Sequence, residues 1–308
     1  MLNSKHQFSG NINRNGSLRK SRLEEAQKEI GAVFSALPNK VFRQRELSQI
    51  LSANRSKWKL AQSTSTSGFL KFLVENMGFH KVVLDFPFRK ETRYTFGEVS
   101  IYALLMELSP ASYFSHYTAM FINELTEQIP KTIYLNSEQY KKTANSGYLE
   151  QDAIKQAFSR PVRVTSNFTT HEGLKIYMLN GKNTDNLGVI DIKSENGEIL
   201  RVTNIERTLI DITIRPVYSG GVFEVLKAYK KAAGQASVNK IISYLKKIDY
   251  TYPYHQAIGF YLEKSGAYPE SSIELIRKLE IEYDFYLTHN MEETEYSERW
   301  RLFYPKGF

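Results

Sequence analysis

Between Ser21 and Gly97 the apolar residues repeat three times at helical spacing and then switch to alternation, an order that few small folds accommodate. Ser21 with Glu24 and Glu25 signals a helix start, and Leu23, Ala26, Ile30, Val33, Phe34 and Leu37 form its stripe as far as Pro38 and Asn39. A short extended piece over 40–42 leads to a second helix over 43–52, with Leu47, Ile50 and Leu51 on one face. Phe69, Leu70, Leu73, Val74 and Met77 mark a third, which Gly78 closes. Val82, Leu84 and Phe86 then alternate, residues 87–90 turn the chain, and Tyr94 and Phe96 alternate on the return. Three helices followed by a hairpin predict a winged helix-turn-helix over 21–97.

The same stretch holds the positive charge. Residues 1–97 contain 17 Lys and Arg against 7 Asp and Glu, a net of +10; subtracted from chain totals of 41 and 33, this leaves 24 against 26, or −2, for residues 98–308. Phosphate neutralisation supplies most sequence-independent affinity for DNA, so one basic end predicts duplex DNA as its partner. A helix docked in the major groove turns its N-terminal residues toward the bases. The expected contacts are therefore Ser63, Thr64, Ser65, Thr66 and Ser67 ahead of the third helix, Lys71 one turn in, and Lys57 and Lys59 before it. Arg43 and Arg45 open the second helix, and Arg89, Lys90 and Arg93 sit on the hairpin, placed for flanking phosphates. Residues 1–20, with Lys5, Arg14, Arg19 and Lys20 and no acid, read as a flexible basic arm.

At 308 residues the chain exceeds the size at which single cores usually stop growing, which favours two or three domains. The expected division is 1–20, 21–97 and 98–308, the last open to subdivision near Pro216. Periodicity beyond Gly97 predicts helices over 100–108, 112–128 and 152–158, and strands over 131–136, 162–166, 174–179, 187–192 and 199–202. Asn196-Gly197 marks a tight hairpin, and Thr203 with Glu206 has capping-box spacing for a further helix. Amphipathic helices follow over 222–233, 237–249, 254–264 and 269–278, then strands over 281–288 and 296–304. The fold class is α+β: a winged helix, then a larger mixed α/β domain with a helical C-terminal part.

Several chemistries are excluded or unsupported. Without cysteine there is no disulfide, Cys-based zinc site or thiol nucleophile. The histidines His6, His80, His116, His171, His255 and His289 never fall three or four residues apart, so neither metal nor cofactor is expected. No phosphate-cradling glycine loop, G-x-S-x-G elbow or kinase signature is present. The polar start and the lack of a bilayer-length apolar run point to a cytoplasmic protein with no membrane contact. Asp185 followed by Asp191-Ile192-Lys193 resembles the acid-x-lysine of restriction-type nucleases, although any exposed hairpin end has the same composition. A DNA nuclease is thus the alternative to a non-catalytic regulator, and a plain winged-helix transcription regulator is another.

Two middle segments resemble a known family. Tyr113-Phe114-Ser115-His116-Tyr117-Thr118-Ala119, followed by Pro130-Lys131-Thr132-Ile133-Tyr134, is similar to the S-x-x-S/T-A helix and strand of the AbiEi-type antitoxins of abortive-infection (type IV) toxin-antitoxin systems. Ile205-Glu206-Arg207-Thr208-Leu209-Ile210-Asp211 is similar to that family's E-R-T-L-x-D helix, with Gly220-Gly221 soon after. The resemblance implies an antitoxin and autorepressor whose winged helix binds inverted repeats in operator DNA. It also implies a C-terminal domain that counters a separately encoded nucleotidyltransferase toxin, in a phage-defence role. A palindrome requires two copies, so a dimer on DNA is expected. The chain departs from the family in its longer hairpin over 79–97 and in the region after Ala267. Glu206 is expected to cap its helix, and Arg207 with Asp211 to form an i,i+4 pair worth only about 0.2–0.5 kcal/mol.

Overall fold

The computed structural model describes residues 20–109, 111–141, 148–194 and 196–308, and the arm expected over 1–20 lies outside them apart from Lys20. Two compact units emerge. One is made of the residues up to Val83 with Glu91–Leu104, the other of Leu84–Lys90 with Leu105–Phe308.

In the smaller unit the first helix is interrupted at Ala26, giving α1 (Arg22–Glu25) and α2 (Gln27–Ala36). Ser21 caps it as expected, its hydroxyl accepting from Glu24 N–H while Glu24 accepts from Ser21 N–H. Then follow β1 (Val41–Phe42), α3 (Gln44–Asn54), α4 (Thr66–Asn76), β2 (Phe79–Phe86) and β3 (Arg89–Phe96), of which the stretch Leu84–Lys90 around the turn falls in the other unit. The strands lie in the order β1-β3-β2, with Val41 opposite Thr95 and Phe42 opposite Tyr94 in antiparallel register. The helical stripes and the alternating strand residues meet in one core. Phe34 sits edge-on to Phe79 at 4.9 Å, and Phe79 stacks on Phe96 at 4.9 Å. Ile30, Leu47, Leu51, Phe69 and Leu73 complete it.

The larger part of the chain is mixed α and β, with two further sheets. After α5 (Ile101–Met106) come β4 (Tyr113–Phe114), α6 (His116–Ile122), β5 (Thr132–Glu138), α7 (Gln151–Phe158), β6 (Phe168–His171), β7 (Leu174–Gly181), β8 (Val189–Lys193) and β9 (Ile199–Thr203). The six strands order as β6-β7-β5-β4-β9-β8. β5 runs parallel to β7, and β4 parallel to β9; the other pairings are antiparallel. Next is α8 (Ile205–Ile214), which packs against α6 and against three of the helices that follow: α9 (Val222–Ala232), α10 (Val238–Ile248) and α11 (Tyr254–Ser265). α12 (Glu270–Arg277) precedes a small sheet of β10 (Phe285–Tyr286), β11 (Thr294–Ser297) and β12 (Leu302–Pro305), ordered β10-β12-β11. Among the described residues no helix is long and apolar enough to cross a membrane.

Three local expectations are corrected. The helix expected over 112–128 is a strand followed by a short helix, because Tyr113 and Phe114 pair with Asn136 and Leu135 of β5. Residues 162–166 are not a strand: Thr165 N–H donates to the Tyr218 hydroxyl at 2.9 Å instead of to a neighbouring backbone, and the pairing strand is β6. Asn204, not Thr203, caps α8, its side chain accepting from Arg207 N–H at 3.0 Å.

Trp300 is wholly buried against α11, and only a glycine at position 259 allows it. A Cβ there would lie 2.1 Å from Trp300 Cζ3. Gly259→Ala is therefore expected to destabilise the protein by at least ~1–3 kcal/mol, the cost of overpacking. Urea denaturation checks this; an unchanged midpoint would contradict the packing described.

Candidate nucleic-acid interface

The surface built by α3 and the start of α4 gathers part of the expected DNA-contacting set. Residues 55–65 join the two helices, and Arg55 fastens this connection by donating to the carbonyls of Ala61 (2.6 Å), Gln62 (3.3 Å) and Thr64 (3.0 Å). Trp58 is buried beneath it against Phe69, ring centroids 5.8 Å apart. The start of α4 is thereby held in place. Ser65 caps that helix by accepting from Gly68 N–H at 3.0 Å, and Thr66 shares a 3.0 Å hydroxyl contact with Ser48 of α3. Glu46 secures the start of α3 by accepting from Arg43 N–H at 2.7 Å.

Gln44, Arg45, Ser48, Gln49 and Thr66 line an open groove, with no carboxylate among the described residues that line it. A neighbouring groove adds Ser67, Lys71, Lys81, Tyr94 and Glu75, whose carboxylate lies 3.8 Å from Lys71 in an exposed i,i+4 pair. Arg45, Thr66, Ser67 and Lys71 are thus brought together around Gln44. The other expected residues fare differently. Ser63 is exposed and Thr64 half-buried on the connection, where Lys57 and Lys59 are exposed as well, and Arg43 is exposed at the head of α3. Arg89 and Lys90 are exposed at the turn between β2 and β3. Arg93 is buried, 5% exposed, with its guanidinium 2.8 Å from Glu91, so it does not present its charge to a ligand. Within the Ser/Thr run, Ser63, Ser65 and Ser67 are exposed, and Ser65 and Thr66 are also engaged in holding α4. Gln44 and Gln49 escaped the sequence reading. Their signal was position: polar amides on the outward side of a helix whose Leu47 and Leu51 face the core.

In the larger unit the E-R-T-L-x-D helix is the centre of a buried polar network. Glu206, Arg207 and Asp211 are all buried. Arg207 Nε donates to Asp211 Oδ1 at 2.8 Å, and its Nη1 donates to Thr184 Oγ1 at 2.9 Å and to the Leu187 carbonyl at 2.7 Å. Burial disfavours the Arg207 charge, but Asp211 more than offsets this and holds its pKa above the usual arginine value. Glu206 does not cap: it accepts from Ser237 N–H at 3.0 Å and pairs with Lys240 at 3.0 Å, tying α8 to α10. His116 lies close by in the same unit, with Nδ1 2.9 Å from Ser115 Oγ. Burial holds its pKa down to about 4, Asp211 opposing this and Arg207 and Arg215 assisting.

The acid-x-lysine segment lies on β8, at the edge of the six-stranded sheet. Asp191 and Lys193 are exposed there, Asp191 3.8 Å from Arg201, and Asp185 is exposed in the preceding turn. Among the described residues no three His, Cys, Asp or Glu side chains group as a metal site.

No family model and no curated protein matches this chain. Among solved structures, the RV2827C protein from Mycobacterium tuberculosis is similar, with 13% sequence identity over 91% of this chain and 91% of that one and a TM-score of 0.59. At that identity the likeness is one of fold.

Two outcomes follow from the buried network. Asp211→Asn leaves Arg207 charged and uncompensated in the interior, an expected loss of ~3–5 kcal/mol, whereas Arg207→Met with Asp211→Leu together recovers most of it. A single-variant loss below about 1 kcal/mol in urea titrations would place the pair among weak surface bridges. For pH, the unfolded chain protonates His116 near 6.5 while the folded chain resists until about 4, so the unfolded state binds more protons in that window. Stability is therefore expected to fall as pH drops from about 6.5 to about 4, by on the order of 3 kcal/mol from this residue. His255 and His289, also lowered by burial, act in the same sense. Denaturation midpoints of His116→Asn across this range should show a shallower slope; an identical slope would refute the assignment.

Proposed function

We propose that the smaller unit is a winged helix that binds double-stranded operator DNA, with α4 as the recognition helix and the β2–β3 ribbon as the wing. The observation that carries this reading is the polar groove around Gln44, Arg45 and Thr66, with no carboxylate among the described residues that line it and set in the segment that holds the chain's net positive charge. Ser67 and Gly68 are small and exposed at the start of α4, which favours close approach to base edges, and Lys71 follows one turn later. Gln side chains pair with adenine in the major groove and Arg with guanine or phosphate, so Gln44, Gln49 and Arg45 suit such a surface.

On this reading the chain is a non-catalytic regulator of the AbiEi antitoxin kind, acting in the cytoplasm. It represses its own operon as a dimer on inverted repeats, and the larger unit counters a nucleotidyltransferase toxin. The order of motifs supports this: a DNA-binding unit, then the segments 113–119 and 205–211 that resemble the family.

Fluorescence anisotropy with the full chain tests the DNA half, using a duplex from upstream of its own gene and an unrelated duplex. Arg45→Ala with Lys71→Ala should weaken binding to both duplexes and reduce the slope of log affinity against log salt by ~0.9 per lost phosphate contact. Ser67→Ala should instead narrow the gap between the two duplexes. Unchanged affinity and slope in the double variant would refute the interface. For the antitoxin half, co-expression of the full chain is expected to relieve growth arrest by a nucleotidyltransferase encoded beside it; unrelieved arrest removes that half.

A further inference from the structure

We propose that a cationic cavity in the larger unit binds a small phosphate-bearing ligand with an organic body, a nucleoside monophosphate in chemical class. The cavity has a volume of about 440 Å³, within the range of small-molecule sites. It is concave and lies between β5, β7, the 161–167 segment, α8 and the residues after α8. A duplex cannot enter such a space, and this inference stands or falls independently of the DNA-binding reading.

The electrostatics select an anion. Arg163, Lys182, Arg207 and Arg215 line the cavity, and Asp211 is the sole carboxylate among its lining residues. Asp211 is matched by Arg207 at 2.8 Å, so that pair contributes little net charge. Lys182 is anchored by the Asp249 carbonyl and lies 5.2 Å from the centre of the Tyr250 ring. Arg163 and Arg215 are exposed, and among the described residues neither forms an ion pair. Two guanidinium groups without carboxylate partners among the described residues, both lining one concavity, carry the planar donor forks that suit phosphate oxygens.

Inside, the site is built rather than incidental. His116 is 9% exposed and held at φ 52°, a conformation uncommon for a residue with a side chain. Its Nδ1 is occupied by Ser115, which leaves Nε2 without a protein partner among the described residues. In the tautomer where the Ser115 hydroxyl donates to Nδ1, Nε2–H is a spare donor on a residue that lines the cavity. Asn136 is fixed by donating to the Tyr113 hydroxyl at 2.7 Å and accepting from Gly181 N–H at 3.0 Å. Tyr218, Tyr250, Leu179 and Ile214 add aromatic and apolar wall that inorganic phosphate alone would leave unfilled, whereas a base or sugar would cover it.

Calorimetric titration of the full chain with the four ribonucleoside monophosphates, their nucleosides and inorganic phosphate tests the proposal. At least one monophosphate should bind saturably, with the matching nucleoside and inorganic phosphate each ~10-fold weaker or worse, as expected when charged hydrogen bonds or the stacked body are lost. Arg163→Ala with Arg215→Ala should weaken that binding by ~10–100-fold while leaving the thermal midpoint unchanged, because both side chains are exposed and unpaired within the unit. Three results would overturn the proposal: no saturable heat from any monophosphate at millimolar concentration, equal affinity for inorganic phosphate, or undiminished binding by the double variant.

Discussion

Burying a guanidinium and a carboxylate in the middle of α8 is the constraint around which the larger unit is organised. Each ion would cost several kcal/mol to desolvate alone, so the pair is tolerable only if its remaining donors and lone pairs are satisfied. Arg207 meets that demand through Asp211, Thr184 and the Leu187 carbonyl. Glu138 of β5 accepts in turn from Thr184 N–H at 2.8 Å and from the Tyr113 hydroxyl at 3.1 Å. One ion pair thus fixes the loop after β7, the start of β4 and the end of β5 at once. The loop also needs a glycine. At Gly188, with φ 76°, a Cβ would lie 2.7 Å from Arg207 Cβ and 2.9 Å from the Tyr244 ring, so the chain passes the arginine stem only without a side chain.

That network explains what the sequence concealed. An Arg and an Asp four residues apart look like a surface pair of small worth, and nothing local distinguishes the exposed case from the buried one. Burial is decided by the whole of α8, whose residues from Glu206 to Thr213 are all enclosed because α6, α9, α10 and α11 surround it. Glu206 and Thr203 illustrate the same point. Their spacing suits a capping box, yet the Thr203 hydroxyl meets Thr208 at 2.8 Å and Glu206 is drawn to Ser237 and Lys240. Long-range partners outbid the local motif, and Asn204 takes over the cap. Elements with sustained periodicity were legible for the opposite reason. The stripes of α2, α3, α4, α9, α10 and α12 each bury one face, so the pattern and the packing carry the same information, whereas α11 is buried on all sides from Gln256 to Leu262. The two-residue strand β4 was illegible because Tyr113, Tyr117 and Met120 keep helical spacing across a backbone that turns at His116.

The candidate sites were legible to different depths. The candidate nucleic-acid surface draws on residues between Gln44 and Tyr94, and charge plus element order pointed to Arg45, Ser67 and Lys71, which line its grooves. What pattern could not supply was the distinction between side chains that face solvent and those used internally: Arg93 paired with Glu91, Ser65 capping α4, Thr66 meeting Ser48. Arg55 shows the converse, a cation in the basic segment that serves three carbonyls of its own chain. The cavity of the larger unit is assembled from segments between His116 and Tyr250, so no local motif describes it.

Net charge by region is also a poor guide to such a cavity. Residues 98–308 sum to −2, yet within them four cations and a single carboxylate line one concavity. The two kinds of anion recognition differ physically. A duplex is attracted over distances comparable with the Debye length of ~8 Å at physiological salt, so the summed charge of an exposed surface governs its approach, and added salt weakens it. A small anion in a concave site responds instead to the few groups that touch it, partly shielded from water, where each hydrogen bond from a guanidinium is stronger and less screened than on an open surface. The positive charge of residues 1–97 is of the first kind, a summed excess, and the cations lining the cavity are of the second, a matter of placement.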